Sequence, residues 1–273
     1  MENANVSKTR RLVECAIFIA VATVLSIIKL AELPYGGSIT VASMLPIVMI
    51  AYRHGLGWGL GSGVVFGAIQ QLLGLKTLSY VTTWQSVLAV VVLDYIVAFT
   101  VVGFGGIFRR SENRGAALAA GSAFACLLRY ICHVISGATV WAGLSIPTKA
   151  ALLYSFAYNA TYMIPETIVL VAAAYYLGSI FDLNAENPTR VVREKTGGAA
   201  FRLIAGLVLA GMVVFDTVMV FSNLQDGESG EFYIGGLVDV NWIAVGIVTG
   251  ACVALSVALF IISKKQKAAG DAE

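Results

Sequence analysis

The chain has 273 residues, of which 58% are hydrophobic and 12% are charged, and its formal net charge at pH 7 is +2. So apolar a composition is typical of a membrane protein, and so small a net charge argues against a nucleic-acid partner. A helix satisfies its own backbone hydrogen bonds in lipid. The sequence lacks the alternation of polar and apolar residues that is typical of the strands of a membrane barrel. We therefore predict an all-α, polytopic membrane protein embedded in the lipid bilayer.

Long apolar runs recur along the whole chain and predict its membrane spans. The second and third runs are short or interrupted by glycine, so their bounds are the least certain. The predicted spans cover residues 12–31, 38–52, 55–75, 84–108, 115–141, 150–180, 202–222 and 241–262.

The lysines and arginines lie mostly in loops on one side of this topology. Cytoplasmic loops carry an excess of basic residues, so that side is assigned to the cytoplasm. We predict a multi-pass protein of the cytoplasmic (cell) membrane with both termini in the cytoplasm. The start of the chain has no convincing cleavage site after its first apolar run, which therefore reads as a retained helix.

One polar stretch, 182–201, is long enough to divide the chain. It separates a six-helix membrane domain, 1–181, from a two-helix appendage with a polar tail, 202–273. Within the appendage Asp216 lies near the middle of a span, where a lipid-facing carboxylate is costly. We expect it to face a partner helix.

Two patterns that can indicate chemistry do not do so here. Gly59, Gly63 and Gly67 form a small-xxx-small ridge for close helix packing, and no nucleotide-binding loop ends the glycine-rich stretch. The four cysteines lie within predicted spans without a C-x-x-C motif. We expect no disulfide, no metal site and no cofactor.

The most informative pattern is a stripe along the fifth span, formed by Arg129, His133, Gly137 and Trp141. Four-residue spacing keeps these positions on one broad face of a helix. Because a cation, an imidazole and an indole are expensive in lipid, the stripe indicates an internal site. For Arg129 itself, an ion pair with Glu166 or Asp94 is favoured over ligand contact.

Depth places several polar and aromatic residues of neighbouring spans beside this stripe. Asp94 lies ten residues into span four, about 15 Å along a helix from Trp84. Tyr154 and Asn159 begin span six in the outer half of the membrane, with Tyr158 as a weaker candidate. A carboxylate among aromatic faces suits an organic cation, through charge pairing and cation–π contact.

Four blocks of sequence within residues 10–180 form a recognisable set. They are LPYGGSITVASMLPIVMIAYRHG (33–55), LDYIVAF (93–99), LLRYICHVISG (127–137) and YSFAYNATYMIP (154–165). In content and order these blocks resemble the thiamine-specific substrate-binding (S) component of energy-coupling factor (ECF) vitamin transporters.

The resemblance implies an outward-facing thiamine pocket in a transport subunit that is not itself an enzyme. Two partner ATPase subunits and a membrane coupling subunit would supply energy. Two positions depart from the family. Asp94 replaces a longer acid, and Gly37 occupies a position where some members have a tryptophan. The aromatic side of the pocket that this tryptophan would form could instead come from Tyr35 or Trp84. The implied ligand-binding residues are Asp94, Tyr95, His133, Trp141, Tyr154 and Asn159.

Ala16 and Ala20 form an A-x-x-x-A pair in the first span, which lets another helix approach closely. The resemblance implies that this pair docks the coupling subunit, and ordinary internal packing is the alternative. For the ligand, a thiamine precursor such as an aminopyrimidine or a thiazole is the second hypothesis. A membrane enzyme using His133 and Asp94 as an acid–base pair, or a sensor, remains as a different class.

Overall fold

The structure is a computed structural model that describes residues 7–33, 36–142, 144, 151–191, 198–224 and 233–270. It is helical and forms two compact units, Met1–Val191 and Val192–Glu273. Six helices are long and apolar enough to cross a membrane within the described ranges. The chain is therefore a multi-pass, all-α membrane protein.

Six of the eight predicted spans, the third to the eighth, correspond to helices that are long and apolar enough to cross a membrane. A short antiparallel hairpin, β1 (Lys29–Glu32) with β2 (Ser38–Thr40), connects the first two helices. The helices of the first unit are α1 (Lys8–Ile27), α2 (Leu45–His54), α3 (Leu56–Leu73), α4 (Trp84–Gly106), α5 (Arg114–Thr139) and α6 (Ala151–Ile180).

Helix α1 begins where the Ser7 side chain accepts a hydrogen bond from the backbone N–H of Arg10. It ends at Ile27, four residues before the predicted end, because the chain enters β1. α1 is not among the six helices apolar enough to span a membrane. Arg10, Arg11 and Glu14 all fall in its first two turns, which makes this end polar.

The second predicted span, 38–52, is wrong. Residues 38–40 form β2, and α2 has only ten residues. A helix of that length is about 15 Å long, half the thickness of the hydrocarbon core. Its residues are apolar because protein surrounds them: Ile47, Val48 and Ile50 have no exposed surface. An all-round apolar helix is typical of a buried position.

The glycine ridge of α3 packs against α4, which confirms the packing interpretation. A Cβ atom on Gly67 would lie 2.7 Å from the carbonyl oxygen of Tyr95, and one on Gly63 would lie 2.5 Å from that of Phe99. Such distances leave no room for a side chain. The ridge therefore lets the backbone of α3 lie directly against the part of α4 that carries Asp94.

A polar clasp joins α1, the end of α2 and the chain after α6. Arg53 binds the Glu14 carboxylate at 2.6 Å and donates to the carbonyl oxygens of Leu183 and Ala185. His54 lies 2.8 Å from Glu14. Burial lowers the pKa of His54, so at neutral pH this contact is a hydrogen bond of a neutral imidazole.

Residues after α6 thus belong structurally to the first unit, although we predicted a linker from 182. Strands β3 (Phe181–Asp182) and β4 (Thr189–Arg190) pair antiparallel across this stretch. Arg10 also donates to the Asn187 side chain at 2.6 Å. Residues 182–191 of the predicted linker are therefore part of the first unit.

The second unit contains two packed helices, α7 (Ala199–Phe221) and α8 (Trp242–Gly270). Asp216 of α7 accepts a hydrogen bond from the Thr249 hydroxyl of α8 at 2.8 Å. The prediction that Asp216 faces a partner helix is confirmed. The Ser256 hydroxyl adds a second link, to the carbonyl oxygen of Ala205 at 3.3 Å.

Candidate functional site

Asp94 and Tyr95 lie in an irregular part of α4. Residues Val91–Val97 form a π-helix between ordinary helical segments. π-Helical turns are rare and occur frequently at functional sites, because the wider turn reorients side chains. Here the wider turn lies opposite the α3 glycines, where the carbonyl of Tyr95 fits against Gly67.

The Asp94 carboxylate contacts three polar side chains, which lie on α5 and in the bend after it. Oδ1 lies 3.0 Å from Nδ1 of His133. Oδ2 accepts from the Ser136 hydroxyl at 2.7 Å and from the Trp141 indole N–H at 3.0 Å. Both carboxylate oxygens are thus engaged, and one acid orients an imidazole, a hydroxyl and an indole.

Trp141 lies beyond the end of α5, which stops at Thr139. The predicted helix through residue 141 is thus two residues too long, and the stripe ends in a bend. Trp141 is nevertheless buried, and it packs with Val81 and Val90. Because the indole N–H is held by Asp94, the bend keeps the ring beside the acid.

His133 has one ring nitrogen to which no described residue bonds. Its Nε2 atom is buried and has no hydrogen-bond partner among the described residues. An ionised Asp94 only accepts, so a neutral His133 beside it carries its proton on Nδ1 and offers Nε2 as an acceptor. A buried polar atom without a partner costs about 1–3 kcal/mol. A ligand N–H donor would remove that cost.

Asn159 lies next to His133 and is held by the protein itself. Its side-chain N–H₂ donates to the carbonyl oxygen of Ser155 at 2.9 Å and to that of His133 at 3.3 Å. Its Oδ1 accepts from the Tyr162 hydroxyl at 2.6 Å. Asn159 is buried, and its amide connects α6 to α5 at the level of the imidazole.

The two remaining tyrosines of the predicted ligand set lie at the edges of this group. Tyr154 packs against the cluster that contains Trp141. Tyr95 donates its hydroxyl to Thr77 Oγ1 at 3.1 Å, on the segment that follows α3. The structure therefore brings Asp94 and its partners together directly, Asn159 through a backbone carbonyl, and the two tyrosines through packing.

An ion pair lies one helical turn from the imidazole. Arg129 Nη1 lies 2.8 Å from Glu166 Oε2, and the guanidinium stacks over the Phe99 ring at 4.6 Å from its centroid. Glu166 Oε1 also accepts from the Thr40 hydroxyl at 2.8 Å. The predicted ion pair is confirmed, with Glu166 as the partner of Arg129. Asp94 instead contacts His133, Ser136 and Trp141.

The alternatives for an additional aromatic wall have different outcomes. Trp84 begins α4 with 72% of its surface exposed, as expected for an interface anchor. Tyr35 lies outside the described residues. Gly37 is buried against the ring of Tyr162, a residue of the site that the sequence reasoning missed.

Ser136 and Thr40 were missed as well, because isolated hydroxyl residues are common in membrane helices and loops. Ser136 follows His133 by three residues, so it shares the face of α5 that Asp94 contacts. That spacing is the signal in the sequence that could have found it. Nothing in the sequence near Thr40 indicates its contact with Glu166, 126 residues away.

Ala16 and Ala20 lie on the exposed side of α1, while Cys15 and Ala22 face the core. Large apolar residues flank the pair on the same side, including Ile17, which is 57% exposed. Within the first unit, this face is turned away from the packed interior. Internal packing of α1 therefore uses its other face.

Among the described residues there is no group of histidine, cysteine, aspartate and glutamate side chains that could hold a metal ion, and the four cysteines are free. What the site offers is one carboxylate, an oriented indole and an acceptor nitrogen. These groups match a ligand that carries a positive charge and a hydrogen-bond donor.

Comparison with known proteins agrees with this chemistry. Residues 12–182 match the family described as thiamine transporter protein. The thiamine transporter ThiT of Bacillus subtilis (strain 168) is 33% identical in an alignment 171 residues long, which covers 58% of this chain and 85% of that protein. The solved structure of ThiT from Listeria monocytogenes aligns with a TM-score of 0.53 and 25% identity, covering 63% of this chain and 94% of that one. The chain belongs to the thiamine transporter family.

Proposed function

We propose that this chain binds thiamine at the site formed by Asp94, His133 and Trp141. It then delivers the vitamin across the cytoplasmic membrane as the substrate-binding subunit of an ATP-driven ECF transporter. The observation that carries the proposal is the Asp94 carboxylate, which holds a buried indole and an imidazole whose second nitrogen is buried without a partner in the described part of the chain.

The two rings of thiamine match the two sides of this site. The thiazolium ring carries a permanent positive charge, and a desolvated cation over an indole face gains up to about 2 kcal/mol. The Asp94 charge adds Coulomb attraction, which is stronger inside the protein than in water. The aminopyrimidine carries N–H donors, one of which can bond to Nε2 of His133.

Tyr154 and Tyr95 complete the proposed binding set as packing groups, and Asn159 as an amide that fixes the local geometry. Tyr154 lies against the Trp141 cluster and can close one side of a flat ring. Tyr95 is anchored at its hydroxyl by Thr77, so its ring has a fixed position. Rigid aromatic walls lower the entropy that binding costs.

The proposed partners are the membrane coupling subunit and its two ATPase subunits. Ala16 and Ala20 lie on the exposed face of α1, where a partner helix can approach the backbone closely. The excess of lysine and arginine in the loops assigned to the cytoplasm supports cytoplasmic termini. In this arrangement the ligand site opens to the outside of the cell, and the ATPase subunits act from the cytoplasmic side.

A tryptophan fluorescence titration of the purified full-length protein in detergent tests the ligand assignment. Saturable quenching by thiamine is expected, and most of it is expected to disappear in Trp141→Phe. Trp84→Phe is the matched control, because Trp84 is 72% exposed at the start of α4 and should leave quenching intact. Absence of saturable thiamine binding by the folded wild-type protein would refute the proposal.

The same titration separates thiamine from its precursors. The isolated aminopyrimidine and thiazole compounds are added as competitors at rising concentration. Each precursor lacks half of the contacts, and the uncharged thiazole also lacks the cation that pairs with Asp94. Both should compete much more weakly than thiamine, and a precursor that binds more tightly would make it the preferred ligand.

A further inference from the structure

Tyr162 joins the ligand site to the segment before β2. A Cβ atom on Gly37 would lie 2.9 Å from Tyr162 Cδ1 and 3.0 Å from Cε1, closer than such atoms approach without one of them moving. Gly37 is not among the glycines with positive φ. The backbone at this position is therefore not what requires glycine: a side chain would meet the Tyr162 ring first, and Leu33 Cδ1 at 3.3 Å.

The other contacts of Tyr162 reach two residues of the proposed ligand set. Its hydroxyl donates to Asn159 Oδ1 at 2.6 Å. Its ring meets the His133 imidazole edge-on, with centroids 6.2 Å apart and an interplanar angle of 67°. Tyr162 is 4% exposed, so these contacts are fully inside the protein.

A second connection of the same kind lies one turn further along α6. Glu166 binds Thr40 of β2 on one side and Arg129 of α5 on the other. Positions 162 and 166 of α6 therefore each link the 37–40 segment to α5. The two connections hold the segment in register with α5, where positions 129 and 133 are also one turn apart.

We infer that Tyr162 is a positioning residue for the ligand site. The Tyr162 ring packs against the backbone of Gly37, which fixes its position. Tyr162 in turn fixes the orientation of the Asn159 amide through its hydroxyl and that of the His133 imidazole through its ring. The inference deepens the proposed function and rests on it. A displaced Tyr162 ring would shift the His133 imidazole, and with it both the nitrogen that a ligand needs and the contact of the ring with Asp94.

The first test measures whether Gly37 acts through the Tyr162 ring. Gly37→Ala should weaken thiamine binding about tenfold, because overpacking forces the ring to move. In a Tyr162→Leu background the same substitution should cost less than about threefold, since the planar ring is gone. Gly61→Ala is the control, because a Cβ there meets nothing within 4 Å.

The second test measures whether the hydroxyl acts through the amide. Tyr162→Phe keeps the ring and removes the bond to Asn159, and it should weaken thiamine binding by about threefold or more. In an Asn159→Ala background, Tyr162→Phe should add nothing. Melting temperatures of all variants are recorded beside the affinities, because a purely structural role would move stability without this dependence of affinity on the partner residue.

The outcomes distinguish this inference from the proposed function. If the wild-type protein binds thiamine and the Gly37 and Tyr162 effects simply add, Tyr162 does not position the site and the inference is wrong. The same holds if the Tyr162 and Asn159 effects add. If the folded wild-type protein binds no thiamine, the proposed function fails first, and the positioning role falls with it.

Discussion

Replacing Asp94 by asparagine is the sharpest test of the site, because one side chain holds three others. Asparagine has nearly the same shape, but it has lost the charge and offers an N–H₂ group where the carboxylate offered an oxygen. At least one of the donors from His133, Ser136 and Trp141 then loses its acceptor. The substitution therefore disturbs both the charge and the orientation of the site.

The structure gives the size of the expected effect. A unit charge about 4 Å from a ligand cation gains about 4 kcal/mol at an effective permittivity of about 20. The Asp94 side chain is 13% exposed and shares its charge with three donors, so the net loss is smaller. Hydrogen bonds to charged groups contribute about 1.5–3 kcal/mol, which corresponds to a loss of about tenfold to a hundredfold in thiamine affinity.

The assay is a thiamine titration of wild type, Asp94→Asn and Asp94→Glu, with melting temperatures measured in parallel. Asp94→Glu keeps the carboxylate and should stay within about fivefold of wild type, because the charge is preserved. Asp216→Asn is the matched control, since that acid lies in α7 and binds Thr249. Normal thiamine affinity in a folded Asp94→Asn protein would refute the reasoning and make Asp94 a structural residue.

Three further predictions test the parts around this acid. Trp141→Ala should weaken thiamine binding by about tenfold or more through loss of the cation–π contact, and an isothermal titration of the folded variant with unchanged affinity would exclude Trp141 from the pocket. Replacing Ala16 and Ala20 together by leucine should abolish cellular thiamine uptake, because bulky side chains on the exposed face of α1 keep a partner helix away. The purified variant should still bind thiamine normally, and loss of both binding and uptake would contradict this prediction. A chain ending after Val191 keeps the β3–β4 pair and the clasp, and it should bind thiamine within about threefold of full length in the same titration. Loss of thiamine binding in the folded shorter chain would show that the second unit contributes to the site.

The predicted spans match the structure for the six helices that are long and apolar enough to cross a membrane. Span two failed for a physical reason: hydropathy reports the transfer of a side chain out of water, and it does not distinguish lipid from protein. Residues 45–52 are buried by neighbouring helices, so they look like a span in sequence. The strand that precedes them is too short to give an alternating pattern.

The site was predictable where spacing and residue type carry the signal. His133 and Asp94 stand out because charged and titratable groups are rare in membrane helices. The π-helix around Asp94 leaves no mark in the sequence, although it lies against Gly67 of α3. The role of Tyr162 could not be predicted from the sequence either, because its partner Gly37 has no side chain that would suggest a contact.

The charges of the buried site explain which ligands it can hold. Arg129 and Glu166 pair at 2.8 Å, so together they contribute no net charge. Asp94 adds one carboxylate beside this pair, and His133, Ser136 and Trp141 surround its two oxygens. A ligand with a single positive charge restores neutrality, whereas a phosphate ester of the same vitamin adds negative charge beside an acid, where like charges repel strongly in a low-permittivity interior. The ion pair one turn away thus has a role in recognition without touching the ligand: it holds the helices together and leaves the net charge of the site to Asp94.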